Sequence, residues 1–235
     1  MINRMALIVR ALLVALFLAV TAGCVSAPRP VLDFTPGAVV ATLSSPVSMS
    51  IQAADRGMAG HGYLIFRRPG QARMVILSPF GTTIMEAIVS SDRITLLYPG
   101  QMTAYSGRLG ELPDKGGLQG WRLMQWVMDA EPPGDPSRNG TVERMGKQGF
   151  NEKLTFENGL VVAKESQQGD RVYYEKYVVI NGVPLATEVD MRNARDDRVS
   201  LKLDEPEINT PLDDDVFQPK LDGYTILPLS ALAGL

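Results

Sequence analysis

From Val47 onward the chain is built of short strand-like runs separated by turn residues, and that punctuation points to a meander of antiparallel strands. Tyr63–Arg67 and Arg73–Leu77 flank Pro69-Gly70, and Thr83–Val89 and Arg93–Tyr98 flank Ser90-Ser91-Asp92. Pro99-Gly100 then leads into Met102–Tyr105. The same grammar returns in the second half. Glu152–Glu157 and Leu160–Glu165 flank Asn158-Gly159, and Arg171–Ile180 and Pro184–Arg192 flank Asn181-Gly182, with Val199–Leu203 after them. Asn-Gly between two such runs is a strong hairpin signal, because both residues accept the positive φ of a two-residue turn. The expected fold class is α+β and mainly β. The spacing of the strands repeats, but the sequence itself does not.

Alternation assigns the faces. If the charged Arg73, Glu86 and Arg93 face water, together with Thr95, then Met74, Ile76, Met85, Ala87, Ile94 and Leu96 share the inner face. The clearest helix spans about 117–129. Arg122, Gln125 and Asp129 make a polar stripe at spacings of three and four, and Trp121, Leu123, Met124, Trp126, Val127 and Met128 surround the rest. A helix this apolar needs a concave surface to pack into. Pro132-Pro133-Gly134 ends it. Thr35-Pro36 reads as an N-cap followed by Pro at the first helical position, which predicts a short helix over 36–44. The tail from Asp213 reads as extended or loop, and Ile226–Leu235 is apolar enough to need a docking place.

Residues 1–23 read as an address. Arg4 and Arg10 are the only charges, and the uninterrupted apolar run Ala11–Ala22 falls short of the roughly 20 residues of a membrane span. It ends in Thr21-Ala22-Gly23-Cys24, which resembles the lipobox of bacterial lipoproteins, with Thr21 where Leu is usual. On that reading Cys24 carries the lipid anchor, residues 24–34 form a tether, and residues 35–235 form one domain. The alternative is an ordinary cleaved leader followed by a free thiol. Val25, not Asp, follows the Cys, and by the sorting rule of enteric bacteria that implies the outer membrane.

Composition narrows the chemistry. The single Cys excludes an internal disulfide framework and a Cys-rich zinc site, and the single His excludes the common multi-His metal sites. A net charge of -3 gives no electrostatic reason to expect nucleic acid. His61, between Gly60 and Gly62, reads as a turn residue before a strand or as a base, and no G-x-S-x-G nucleophile motif accompanies it. Asp213-Asp214-Asp215 lacks the spacing of a calcium loop and reads as a solvated turn. These features lean against an enzyme and predict neither cofactor nor metal. Met49, Met74, Met85, Met102, Met124 and Met128 fall on predicted elements, either as core filling or as an adaptable apolar surface. Leu77-Ser78-Pro79-Phe80-Gly81 sets a bulky aromatic between Pro and Gly at a strand junction. Phe80 either folds back onto the core or projects to touch a membrane or partner.

Leu77-Ser78-Pro79-Phe80-Gly81, Thr82-Thr83-Ile84-Met85-Glu86 and Leu123-Met124-Gln125-Trp126-Val127 resemble motifs of the LolB family of outer-membrane lipoprotein receptors. The likeness is clearest over 61–136, and 150–217 is compatible with the wider LolA/LolB superfamily by strand order. The resemblance implies an unclosed antiparallel β-barrel, a half-barrel with covering helices around an apolar cavity. That cavity would hold acyl chains of lipoproteins received from a LolA-like periplasmic carrier. It would be lined by Met74, Ile76, Met85, Ala87, Ile94, Leu96, Trp121, Met124, Trp126, Val127 and Met128. Phe80 matches the apolar loop residue that the family uses for membrane insertion. The expected protein is a lipid-anchored monomer on the periplasmic face of the outer membrane. The same scaffold carrying another lipid, and an assembly lipoprotein with a filled core, are the competing expectations. The tail beyond about 205 exceeds the family pattern.

Overall fold

A computed structural model describes residues 30–53, 56–113, 121, 126–129, 131–146, 149–195 and 197–234. The leader 1–23, Cys24 and Met124 lie outside the described residues, as do Arg122, Leu123, Gln125 and Asp196. The chain divides into two compact units, Met1–Val31 and Leu32–Leu235. The second carries one sheet of fourteen strands.

Six strands form the first meander: β1 (Thr42–Ala53), β2 (Arg56–Arg67), β3 (Gln71–Leu77), β4 (Thr83–Ser90), β5 (Arg93–Tyr98) and β6 (Thr103–Arg108). Six more form the second: β7 (Gly140–Met145), β8 (Asn151–Glu157), β9 (Leu160–Ser166), β10 (Arg171–Ile180), β11 (Val183–Arg192) and β12 (Arg198–Leu203). Each strand pairs antiparallel with the next, and β1 joins β12, so the first and last strands weld the two meanders together. β13 (Glu207–Ile208) pairs with β1, and β14 (Thr225–Pro228) adds to β6 in parallel. The sheet does not close, and β14 and β7 are its two edges.

The turns explain the register. Asn158 and Asn181 take φ of 49° and 50°, and the glycines that follow take 79° and 78°. Two consecutive positive φ angles give the twist that antiparallel strands require, and Asn-Gly adopts them at low cost. The hairpins read from these dipeptides are therefore present, with Leu160 opposite Glu157 and Val183 opposite Ile180.

The inner face is one apolar cluster. Leu43, Leu64, Met74, Ala87, Ile94 and Leu96 from the first meander meet Leu154, Phe156, Val172 and Leu201 from the second. Trp121, Trp126, Val127 and Met128 have helical backbone, and all four join this cluster. Among the described residues no helix is long and apolar enough to cross a membrane.

Several expectations need correction. No helix spans 36–44. Gly37 turns the chain with φ 79°, residues 38–41 form no regular element, and β1 starts at Thr42. Thr95 does not face water. It is 8% exposed and shares a hydrogen bond of 3.1 Å with Ser106. The reason is the C-terminal tail, which crosses the outer face of the first meander. Arg73 donates to the Val216 carbonyl, Phe217 is buried, and Leu221 and Tyr224 pack on Ile88, Leu97 and Ala104. Leu229 and Leu232 then enter the main cluster, so the apolar end of the tail has its docking place. His61 lies within β2, not before it, and Met102 ends a 3-10 turn ahead of β6.

Candidate functional site

The β3–β4 connection is a hydrogen-bonded knot around one hydroxyl. Ser78 Oγ accepts from the backbone N–H of Phe80 (3.3 Å) and of Thr82 (3.2 Å), and it lies 2.7 Å from Thr82 Oγ1. The Ser78 N–H donates to the Thr82 carbonyl and the Gly81 N–H to the Ser78 carbonyl. These bonds set the loop without using the aromatic ring. Phe80 stands 93% exposed at the tip. Burying such a ring contributes about 1.5–3 kcal/mol. The loop forgoes that gain, which makes the tip an unusual feature rather than a packing solution. Ile84 and Met58, both half-exposed, are further large apolar residues on the surface.

The inner-face residues among those described meet in one apolar cluster. Met74, Ile76, Ala87, Ile94 and Leu96 are buried in one cluster with Trp121, Trp126 and Val127, and Met85 and Met128 pack against it. A void bordered by Leu43, Leu64, Val127, Met128, Tyr174 and Leu201 among others measures about 70 Å³. For scale, an apolar cavity of about 150 Å³ takes a benzene-sized guest. Of the residues expected to line an acyl cavity, Val127 and Met128 border this void.

Polar residues clamp the helical segment to the second meander. Glu152, 4% exposed, accepts from Trp126 Nε1 at 2.6 Å and from Arg144 Nε at 2.9 Å. Lys164, 2% exposed, donates to the carbonyls of Trp126 and Asp129, both at 2.8 Å, and Tyr174 donates to the Val127 carbonyl at 2.7 Å. The last carbonyls of a helix lack partners within it, and a cation there also meets the negative end of the dipole. Burial pushes the Lys164 ammonium down to about 8, against the pull of Glu152 and Asp129. Sequence reasoning missed this group. The signal was available: Glu152 alternates with Leu154 and Phe156, and Lys164 stands opposite Leu154.

A larger concavity lies on the sheet near the Phe80 loop, with a volume of about 910 Å³. His61 borders it and is exposed. Ser48 Oγ lies 3.2 Å from His61 Nδ1 and donates to Asp204 Oδ2 at 3.2 Å. A hydrolytic relay needs the imidazole between hydroxyl and carboxylate; here the hydroxyl occupies the middle. Among the described residues no group of three or more His, Cys, Asp or Glu side chains could hold a metal. Asp214 instead pairs with Arg67 at 2.7 Å.

This open sheet of two meanders is the fold of the LolA superfamily. A LolA-superfamily protein from Nitrosomonas europaea superposes with a TM-score of 0.54 at 14% identity, covering 77% of this chain and 91% of that one. A putative outer membrane lipoprotein-sorting protein domain from Vibrio parahaemolyticus gives 0.57 at 10% identity, covering 77% and 90%. A DUF1329 family protein from Desulfovibrio piger also gives 0.57 at 10%, covering 76% and 90%. Within that fold, residues 44–205 match the family of outer membrane lipoprotein LolB, so the chain belongs to the LolB family. No curated protein matches it in sequence. The tail that covers β4–β6 begins where the family match ends.

Proposed function

We propose that this protein takes the acyl chains of lipoproteins from a LolA-like periplasmic carrier and helps insert them into the outer membrane, anchored there through Cys24. The observation that carries the reading is the Phe80 tip, fully presented on a loop that its own polar bonds hold fixed. One phenylalanine contributes too little to hold a protein on a bilayer, whereas two acyl chains on a cysteine suffice. Phe80 therefore brings the protein's rim to the lipid, and Cys24 keeps the protein near it. The apolar cluster behind β3–β5 would receive the cargo. Movement of the Trp126–Asp129 segment off the sheet, releasing the Lys164 and Tyr174 bonds, would enlarge the void of about 70 Å³ beside it.

The test is transfer from a loaded LolA-like carrier to the mature chain, followed by delivery to vesicles. Phe80→Glu is expected to accept cargo as the wild type does and to deliver less than about a tenth of it, the charge now having to leave water for lipid. Normal delivery by that variant sinks the insertion role. The small void favours a second reading, an assembly lipoprotein with a filled core. That reading predicts no transfer from the carrier into a well-folded chain.

A further inference from the structure

Most of the large apolar side chains that the first meander leaves exposed lie at one end of it. Successive strands alternate in direction, so the end of β3 that leads into Phe80 shares its side of the sheet with the starts of β2, β4 and β6. β14 runs parallel to β6 and starts there too. Met58 on β2, Ile84 on β4, Met102 just before β6 and Ile226 on β14 are all about half-exposed at this end, beside the fully presented Phe80. Tyr63, midway along β2, is an exception. One exposed apolar side chain is ordinary on a protein surface, whereas a row of them on neighbouring strands marks an interaction surface.

Each of these side chains is set outward by its own local device. The β3–β4 register shifts so that Met85 lies opposite Ile76 and Thr83 opposite Leu77, which leaves Ile84 as the extra residue of a bulge. A bulge re-aims the side chain it carries. Met102 ends the turn Pro99–Gln101 with φ 48°, a conformation more usual for Gly or Asn, and its carbonyl accepts from the Thr225 N–H at 2.9 Å. That bond brings the start of β14 to the same end. Ile226 alternates with Leu227, which packs inward, and so takes the outer side. Met58 stands between Gly57 and Ala59, neither of them large enough to cover it. The rim these residues share is uncharged. Residues 57–60, 78–84, 98–103 and 224–226 contain no Asp, Glu, Lys or Arg, and their polar side chains are hydroxyls and the Gln101 amide. Asp55-Arg56, Glu86 and Asp222 stand just outside them. The opposite end of the same strands holds Arg67-Arg68, Asp92-Arg93, Arg108 and Glu111. A charge is far costlier than a hydroxyl to bring into lipid, so of the two ends the uncharged one suits a bilayer. Protein partners are specified by complementary charge, whereas a bilayer asks only for apolar tips with hydroxyls left at headgroup level.

We propose that the whole uncharged end of the first meander, and not Phe80 alone, is the surface that lies on the outer membrane. Phe80 goes deepest, and Met58, Ile84, Met102 and Ile226 enter the boundary of headgroups and acyl chains around it. With strands about 4.8 Å apart, the row from β14 to β2 runs about 24 Å along the sheet. Contact at both ends of that row fixes the tilt of the sheet on the bilayer, which one residue cannot do. Ile226 lies beyond residues 44–205, which carry the family match, so this part of the rim belongs to the tail. The proposal rests on the reading of Phe80 as the membrane-contacting residue.

The test uses the mature chain with Cys24→Ser, so that no acyl anchor contributes, Leu32–Leu235 being a compact unit by itself. Sedimentation with phosphatidylcholine vesicles, and with vesicles of phosphatidylethanolamine and phosphatidylglycerol, gives the partition constant. This parent chain should bind both and keep its binding in about 1 M salt, where screening acts within about 3 Å. The combined variant Met58→Ser, Ile84→Ser, Met102→Ser and Ile226→Ser, with Phe80 kept, should bind about a hundredfold more weakly, since half-burial of one such side chain contributes about three- to tenfold. Val178→Ser, near the far end of β10, should change nothing. If the combined variant fails to fold, Met58→Trp and Ile226→Trp decide, because a larger interfacial ring should tighten binding about threefold or more, which no loss of structure imitates. Undiminished binding by the combined variant, no gain from either Trp substitution, or binding lost in salt overturns the proposal. Phe80→Ser keeps the two readings apart. Weakened binding by Phe80→Ser beside undiminished binding by the combined variant would leave Phe80 as a lone tip and remove the rim. Weakened binding by the combined variant beside undiminished binding by Phe80→Ser would keep the rim and remove the part assigned to Phe80.

Discussion

The two meanders share a plan and differ in what they bury. The inner face of β3–β5 is apolar throughout, and the outer face of β4–β6 is covered as well, by Leu221 and Tyr224 of the tail. The second meander buries Glu152 and Lys164 on its inner side and leaves its edge strand β7 largely exposed. Apolar area does most of the holding in the first half, beside the Arg73–Glu86 pair at 2.7 Å and an Arg68–Asp129 pair at 2.6 Å. The second half instead uses directional bonds to hold a segment, Trp126–Asp129, whose carbonyls need partners. The first half carries the Phe80 tip, and the second supplies the acceptors and donors that meet the helical segment.

The largest test of that contrast is Glu152→Ala. It removes the acceptor of Trp126 Nε1 and one of the two carboxylates on Arg144, which keeps Glu131 at 2.7 Å, and breaking a buried charged network from one side costs about 3–5 kcal/mol. Chemical denaturation should show the loss as a lower midpoint at unchanged slope. A cost under about 1 kcal/mol would mean that water replaces the carboxylate and that the clamp is not directional.

On the other side of the comparison, Leu229→Ala probes the tail. Leu229 is 1% exposed and sits where Gly107 makes room, since a Cβ there would come within 2.9 Å of the leucine side chain. The expected cost is about 2–4 kcal/mol, the range for a buried leucine that leaves a partly collapsed void. Loss of β14 pairing, read by hydrogen exchange at Ile226 and Leu227, should accompany it. An exchange pattern like the wild type's would show that β14 holds without its plug.

Stability against pH distinguishes the halves without mutation. Lys164 has its folded value lowered to about 8 by burial, so between pH 8 and its ordinary value near 10.5 the unfolded chain binds more protons. Stability should therefore rise across that interval, by about 2–3 kcal/mol by pH 10. Burial raises Tyr174 and Tyr98, so above pH 10 the folded state keeps protons that the unfolded state releases, and stability should fall again. Lys164→Met should flatten the rise and leave the fall. A rise that persists in that variant would assign it to another group.

Much of the β architecture was legible because period and turn chemistry are local. Arg73, Glu86 and the two Asn-Gly pairs set faces and hairpins before any long-range contact was known. β7, β13 and β14 were not, since Gly140–Met145 is mostly polar and exposed and the other two are short strands paired across the fold. Thr95 was misread for the same reason: nothing near it in the chain announces that Leu221 and Tyr224 cover that face. At the candidate site, Pro79-Phe80-Gly81 was readable as a tip, but whether the ring projects depends on Ser78, whose hydroxyl gathers the loop. The large concavity was not readable at all, because its wall is assembled from seven strands by register.

The smallest expected effect concerns how the tail is held where it crosses β2 and β3. Asp214 reaches Arg67 at 2.7 Å, yet its side chain is 84% exposed, and pairs of that kind contribute at most about 1 kcal/mol. Phe217 lies beside it, buried, with the Arg67 guanidinium 4.8 Å from the ring centre. If apolar burial holds the tail, as it holds the rest of the first meander, Asp214→Asn should cost about 0.5 kcal/mol in dilute buffer. The difference should vanish in about 1 M salt, where screening acts within about 3 Å. Leu229→Ala should keep its full cost in the same salt. Equal costs for the two substitutions, both reduced by salt, would show that the tail is held by charge. The first meander would then depend on directional contacts as the second does, and the division of labour between the halves would fail.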